Sequence, residues 1–353
     1  MAALENTIQI TPDSLKTSFA KYRKDIIQMP VRALDEAAKF MSRRVGVRGK
    51  ETVGELAGDM ELGPYSLTRK DENGVTITGR TLETFLGSCV KPFEPNAVRE
   101  SIWGSNVFQG EALKNQPITK LIGMFLAGKI GEALFKNLFT MKRNPAGSGT
   151  ADLADGFKTI SDAEIKSNAI AVAKGNLFNT TEMTGVNAVD AVEAFYDAAD
   201  AKLQGINTYM FMNSHELTLY RRCYRDKYGT VNWNNEFNHN KMDGASNCTL
   251  VGLDNVPKGY KIITPGSNML IGLATEGDKA NFGVEDSLDS HFLVDFIATM
   301  YFGTQFETIS KERILFGYDT IGDSSPWLYI ILYIDIWQQR KHVLQPQTFM
   351  RMC

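Results

Sequence analysis

The sequence predicts an α+β fold, with helix-period and strand-period segments following one another without a regular βαβαβ repetition. Three observations carry this reading. Pro117 to Lys142 repeats apolar residues at helical spacing, Thr208 to Met212 is a β-prone run between two helical stretches, and four further strand candidates lie beyond it. No repeat of solenoid length is present, and 353 residues is a size at which two closely joined domains are expected.

Taken from the start, Thr11-Pro12-Asp13-Ser14 is a helix-start signal. Leu15, Phe19, Tyr22 and Ile26 follow at three- and four-residue spacing until Pro30 interrupts them. Val31, Leu34, Ala38 and Met41 mark a second helical stretch from Val31 to Arg44, ended by Gly46 and Gly49. Residues 1 to 50 hold ten Lys or Arg against five Asp or Glu, a net charge of +5 in a chain of net charge −3. Such a segment is a basic amphipathic arm and cannot build a core of its own.

From Lys50 to Glu100 the sequence becomes Gly-punctuated and β-prone. Asn73-Gly74 stands between Tyr65 to Glu72 and Val75 to Thr78, and Asn-Gly supplies the two positive φ angles that a type I′ hairpin turn needs. Leu67, Val75 and Ile77 alternate with polar neighbours, Lys70 among them. With so few large apolar residues, this hairpin is expected to project and lean on something else.

Pro117 to Lys142 predicts a helix of about 25 residues, or roughly 37 Å, weakened by Gly123, Gly128 and Gly131. Asn144 to Thr150 is loop. Ala188, Ala191, Val192, Phe195, Ala199 and Leu203 predict one amphipathic helix. After Gly205 come the strand Thr208 to Met212 and a helix from Ser214 to Tyr228, with Ser214 as N-cap and Gly229 as the residue past its end. The later strand candidates are Thr249 to Leu253, Lys261 to Thr264, Asn268 to Ala274 and Thr299 to Thr308.

Motifs for chemistry are weak. Gly123 to Lys129 matches a phosphate-binding loop until Ile130 replaces the Mg²⁺-binding Ser or Thr, and its Met, Phe and Leu suit a core helix instead. Glu285, Asp286, Asp289, His291 and Asp295 form an acidic cluster that reads as a solvated turn before a metal site. Arg221, Arg222, Arg225 and Lys227, interleaved with Tyr220, Tyr224 and Tyr228, read as a solvated helix face before a phosphate contact. His215, His239 and His342 have no nucleophile or HExxH partner nearby. No catalytic, cofactor-binding or metal residue is therefore assigned.

A pI near 5.9 argues against a dedicated nucleic-acid binder. Cys89, Cys223, Cys248 and Cys353 lack metal or disulfide rhythm and suit a reducing compartment. The start lacks the pattern of a secretory signal. The longest apolar stretch, Trp327 to Trp337, contains Asp335 and is about half the ~20 residues of a membrane span.

The order of parts, with Arg80 to Phe85 after the hairpin, Asp155 to Ile160, Asn187 to Leu203 paired with Tyr209 to Glu216, Leu250 to Gly259, Ile263 to Gly266, Asn268 to Gly272, Thr299 to Glu307 and Ile314 to Gly317, resembles the tailed-bacteriophage major capsid protein with the Hong Kong 97 fold. The resemblance implies an N-terminal arm at 1–50, an extended loop at 51–100, a peripheral domain with a spine helix at 101–185, an axial domain at 186–298, a return strand at 299–317 and a tail at 318–353 outside the resemblance. It implies a non-enzymatic shell subunit without cofactor or membrane partner. Copies would self-assemble into pentamers and hexamers of a virion head, built in the host cytoplasm with a portal protein and enclosing DNA by non-specific contact. Intersubunit contacts are expected from Leu15, Phe19, Tyr22 and Ile26 in the arm and from Leu67, Lys70, Asn73, Gly74, Val75 and Ile77 in the hairpin. The hairpin begins too early for a long N-terminal scaffolding segment, so a separate scaffolding protein is expected. Lys70 lacks a matched acceptor for the covalent crosslink of some family members. The alternatives are an encapsulin-type nanocompartment shell, which the +5 arm disfavours, and an enzyme, which predicts a deep pocket of converging polar groups.

Overall fold

The computed structural model of the chain describes residues 39–57, 76–94, 118–229, 240–242, 244–273, 282–288 and 293–319. In chain order its main elements are β1 (Ser42–Val45), β2 (Lys50–Ala57), β3 (Thr76–Glu83), β4 (Phe85–Phe93), α1 (Ile118–Asn137), α2 (Phe157–Lys166), β5 (Leu177–Thr180), α3 (Ala188–Asp197), α4 (Ala201–Gln204), β6 (Thr208–Asn213), α5 (Ser214–Tyr228), β7 (Lys241–Met242), β8 (Ala245–Leu253), β9 (Tyr260–Thr264), β10 (Met269–Leu273), β11 (Phe282–Asp286), β12 (Val294–Phe306) and β13 (Leu315–Asp319). The predicted mixture of helix and sheet is the one observed.

The strands form three sheets. One has six strands in the order β5-β13-β9-β6-β8-β7, a second has five, built on β12 with β1, β10, β11 and β4, and β2 with β3 makes a two-stranded ribbon. The six-stranded sheet is covered on both faces. Met210, Met212, Leu250, Ile263 and Leu315 turn to one face and pack with Val192 and Phe195 of α3 and Tyr220 and Tyr224 of α5. Phe211, Ile262 and Phe316 turn to the other and meet Phe157 of α2, Leu134 of α1, and Ile271, Phe302 and Phe306 of the five-stranded sheet. A strand covered on both sides has no need of polar alternation, and every residue of β9 and β10 is buried. Edge and tilted ring contacts knit this shared core: Phe157 to Phe306 at 5.2 Å, and Phe306 to Phe316 at 5.4 Å.

Several expectations are corrected. Ser42 to Val45 is not helical; it is an edge strand running parallel to β10, with Ser42 opposite Leu270 and Val45 opposite Leu273. The i, i+3, i+4 spacing of Val31 to Met41 gave no warning, because Met41 is buried in the core at the entry to this strand rather than along a helix face. The long helix ends at Asn137. Leu138 and Phe139 are fully buried in the turn that follows, and their carbonyls, with that of Met141, accept hydrogen bonds from the N–H groups of Phe157, Lys158 and Gly156. The end of α1 thereby satisfies the orphan donors that open α2. Gly156 permits this contact, since a Cβ there would lie 2.6 Å from the Phe139 carbonyl.

The expected helix from Ala188 to Leu203 is broken at 198–200, where the Asp200 side chain caps α4 by accepting from the Lys202 N–H at 3.0 Å. The N-cap of α5 is Asn213 rather than Ser214. Its side chain accepts from the His215 N–H at 2.9 Å, and Glu216 reaches back to the Asn213 N–H at 3.3 Å in a capping box. Gly229 closes that helix with φ of 72°. α2, β5 and β11 were not anticipated, and β8 and β12 are longer than their predicted cores.

Candidate functional site

The first candidate surface is the β2–β3 ribbon, paired from Lys50↔Glu83 to Ala57↔Thr76. Its base is fixed by Val47, Val53, Leu82 and Leu270, all buried. Thr84 ties this base to the preceding loop, its N–H donating to the Gly49 carbonyl at 2.7 Å and its hydroxyl to the Val47 carbonyl at 3.0 Å. Arg80 then clamps the ribbon to the body. Its Nε donates to the Phe306 carbonyl and one Nη to Gln305 Oε1, both at 2.9 Å, and the same nitrogen pairs with Glu164 of α2. The chain at Glu83 and Thr84 lies directly over the paired glycines Gly272 and Gly303, where a Cβ on Gly303 would stand 2.1 Å from the Glu83 carbonyl oxygen. Past this anchorage Gly54 and Gly79 are exposed.

Of the sequence-predicted contact residues, Ile77 is in β3, opposite Leu56. Leu67, Lys70, Asn73, Gly74 and Val75, with the arm residues Leu15, Phe19, Tyr22 and Ile26, lie outside the described residues.

The second candidate is the edge of the five-stranded sheet. β4, which the sequence places in the 51–100 loop, runs antiparallel along nine residues of β12, from Phe85↔Phe302 to Phe93↔Val294. β11 also pairs with 294–298 of β12, so β4 and β11 flank that stretch on opposite sides. Among the described residues no strand pairs with the outer edge of β4. Phe93 and Cys89 face α1, where Ala127 meets Val284, Phe296 and Ala298. Leu86 and Val90 point the other way, 56% and 55% exposed. Between β4, α1 and the 143–153 loop runs a groove of about 920 Å³, with Lys91, Lys129 and Arg143 on its walls. Arg143 stacks over the Phe85 ring at 4.3 Å.

The chemistry-bearing motifs fall elsewhere. Gly123 to Lys129 lies within α1, Lys129 pairing with Glu132 at 2.6 Å, and its Phe125 is exposed rather than core. Glu285 and Asp295 are register partners on β11 and β12, while Asp289 and His291 are outside the described residues. No cluster of His, Cys, Asp or Glu suited to a metal ion occurs among the described residues. On α5, Tyr220 and Tyr224 are buried, while Arg221, Arg222, Arg225 and Lys227 face solvent, Lys227 paired with Asp190. His215 is exposed beside the start of that helix. Burial raises the Tyr260 and Tyr318 phenols well above their ordinary range and the Cys248 thiol to about 11, and none of the three lines the groove.

A buried charge cluster went unseen in the sequence. Lys261 Nζ lies 2.9 Å from Asp319 Oδ1 and 3.3 Å from Glu216 Oε1, with the three side chains 1%, 5% and 6% exposed. They come from β9, β13 and α5, and no local spacing connects them.

No protein-family model matches the sequence, and no curated protein matches it. Solved structures do. The chain is similar to one in the satellite phage P4 procapsid that includes the size determination (Sid) protein, with 11% identity, a TM-score of 0.51, and 85% of this chain and 98% of that one covered. It is likewise similar to the capsid chain of a native GTA particle, with 16% identity, a TM-score of 0.53, and 80% and 94% covered. The fold is thus the one these capsid chains adopt. It is of the Hong Kong 97 type, as the resemblance in the sequence implied.

Proposed function

We propose that this chain is the major capsid protein of a tailed bacteriophage, a shell subunit whose work is assembly with copies of itself. The observation that carries the reading is the ribbon: a two-stranded sheet fixed to the body at its base by Arg80, Thr84 and the Val53–Leu82 cluster, within a fold aligned along nearly the whole of two capsid chains. An isolated two-stranded ribbon is at best marginally stable in water. Contact with a neighbouring subunit supplies the missing burial, and a repeated contact of that kind closes into rings.

On this reading the arm residues Leu15, Phe19, Tyr22 and Ile26 and the hairpin residues Leu67, Lys70, Asn73, Gly74, Val75 and Ile77 bind adjacent subunits. The domain scheme carries over as 1–50 arm, 51–100 extended loop, 101–185 peripheral domain, 186–298 axial domain and 299–317 return strand. Pentamers and hexamers form a virion head assembled in the host cytoplasm, with a separate scaffolding protein and a portal protein. The +5 charge of residues 1 to 50 favours a DNA-filled interior over a protein cargo, because cationic arms offset phosphate. No helix of the described residues is long and apolar enough to cross a membrane.

The test is co-expression of the chain with neighbouring phage genes, followed by size-exclusion chromatography and nuclease-protection assays on the large fraction. Protected DNA in shells supports the phage head. Shells holding a protein cargo and no nucleic acid point to a nanocompartment.

A further inference from the structure

Lys261, Asp319 and Glu216 are the buried charged residues among those described. One cation and two carboxylates in a water-excluded core are costly to hold as ions unless each is well partnered. The partners are specific. The Thr180 hydroxyl donates to Asp319 Oδ1, the oxygen that also receives Lys261 Nζ. Glu216 is held by the Gly259 N–H at 3.0 Å and the Asn213 N–H at 3.3 Å, which aims its Oε1 at the same Nζ. Lys261 is paired with Gly317 on the adjacent antiparallel strand, so Asp319, two residues further on, shares its face of the sheet. Glycines close the site around them. A Cβ on Gly317 would stand 2.8 Å from the Phe195 ring and one on Gly259 3.1 Å from Asp319.

We propose that Lys261 and Asp319 join through an intramolecular amide, Nζ to Cγ, with Glu216 carrying the proton, so that the chain clamps β13 covalently to β9. The reaction balances within the cluster. Lys261 passes one ammonium proton to Asp319, and the free amine attacks the carboxyl carbon of the resulting acid. The Thr180 hydroxyl, donating to the same Oδ1 that receives this proton, assists the departure of that oxygen. Glu216 takes a second proton from the nitrogen and returns it to the departing hydroxyl. A C–N bond forms, a C–O bond breaks, and one water leaves, with no oxidant or further reactant. Held in contact, the two groups have the high effective concentration on which such condensations depend. The product removes a cation and an anion from the core. The loop it closes spans residues 261 to 319, and the chemistry is independent of whether the chain builds a shell.

Peptide mass spectrometry of the folded, purified full chain tests this. The expected result is a chain lighter than its sequence by one water and single on a denaturing gel, giving a branched tryptic peptide. Cleavage after Lys261 is blocked, and residues 259–279 are joined to 314–340. Glu216→Gln, which keeps the hydrogen-bonding shape of the side chain, is expected to leave these peptides separate. A folded wild-type chain of full mass, with a free peptide ending at Lys261, overturns the proposal. A Glu216→Gln chain linked as fully as wild type removes Glu216 from the reaction.

Discussion

Arg80 concentrates the attachment of the ribbon in one side chain. It bridges β3 to β12 and α2 through one backbone carbonyl, Gln305 and Glu164, and it is only 14% exposed. Arg80→Ala leaves the Glu164 carboxylate without its cation and is expected to cost about 1.5 to 3 kcal/mol in chemical denaturation. It should also open β2–β3 to protease before the body unfolds. Arg80→Lys is expected to recover little, because an ammonium cannot reproduce the guanidinium fork. The tyrosines make a second prediction. Burial, and then neighbouring groups that include Asp162, holds Tyr318 and Tyr260 protonated above their ordinary range. In the unfolded chain both phenols ionise near pH 10, so the native state binds more protons above that point. Their contribution is fully present below about pH 10 and is lost as pH rises further. Denaturation curves at stepped alkaline pH check this. Tyr318→Phe, which removes the hydroxyl and with it the 2.8 Å bond to Asp162, should lower stability at neutral pH yet flatten the alkaline decline.

At the scale of elements, the crossing of Glu83 and Thr84 over Gly272 and Gly303 decides how the ribbon meets the sheet. Gly303→Ala places a methyl group into the Glu83 carbonyl and is expected to destabilise by about 1 to 3 kcal/mol. Gly128→Ala, on α1 with open space around it, should raise the melting temperature. Thermal unfolding of the pair separates close packing from helix propensity. The same elements show what the sequence could convey. β6, α5, β9 and β10 were legible because apolar runs, a cap and a terminal glycine lie within a few residues of each other. β1 was not, since its partner Leu270 lies far along the chain, and β11 was not, since Glu285 and Asp286 read as part of an acidic turn. α1 was read too long because Leu138 and Phe139 continue its apolar spacing while serving as a buried turn. The Arg80 clamp and the Lys261 cluster join residues 45 to 226 positions apart, and no local window of sequence holds such a pair.

At the scale of the whole molecule, the two larger sheets share one aromatic core, and among the described residues the ribbon has two strands and no strand pairs with the outer edge of β4. A long unpaired edge and a thin ribbon are liabilities in a monomer and natural joints in an assembly. Particles held by arm charges against DNA are further expected to lose that contribution as salt rises, which nuclease protection at stepped ionic strength would reveal. The most direct measurement is negative-stain microscopy with size-exclusion chromatography on the chain expressed alone and with its candidate scaffold. Closed shells, or rings of five and six subunits, are the predicted result. A small monomer or dimer under every condition, with residues 51–100 resistant to protease, would contradict the account.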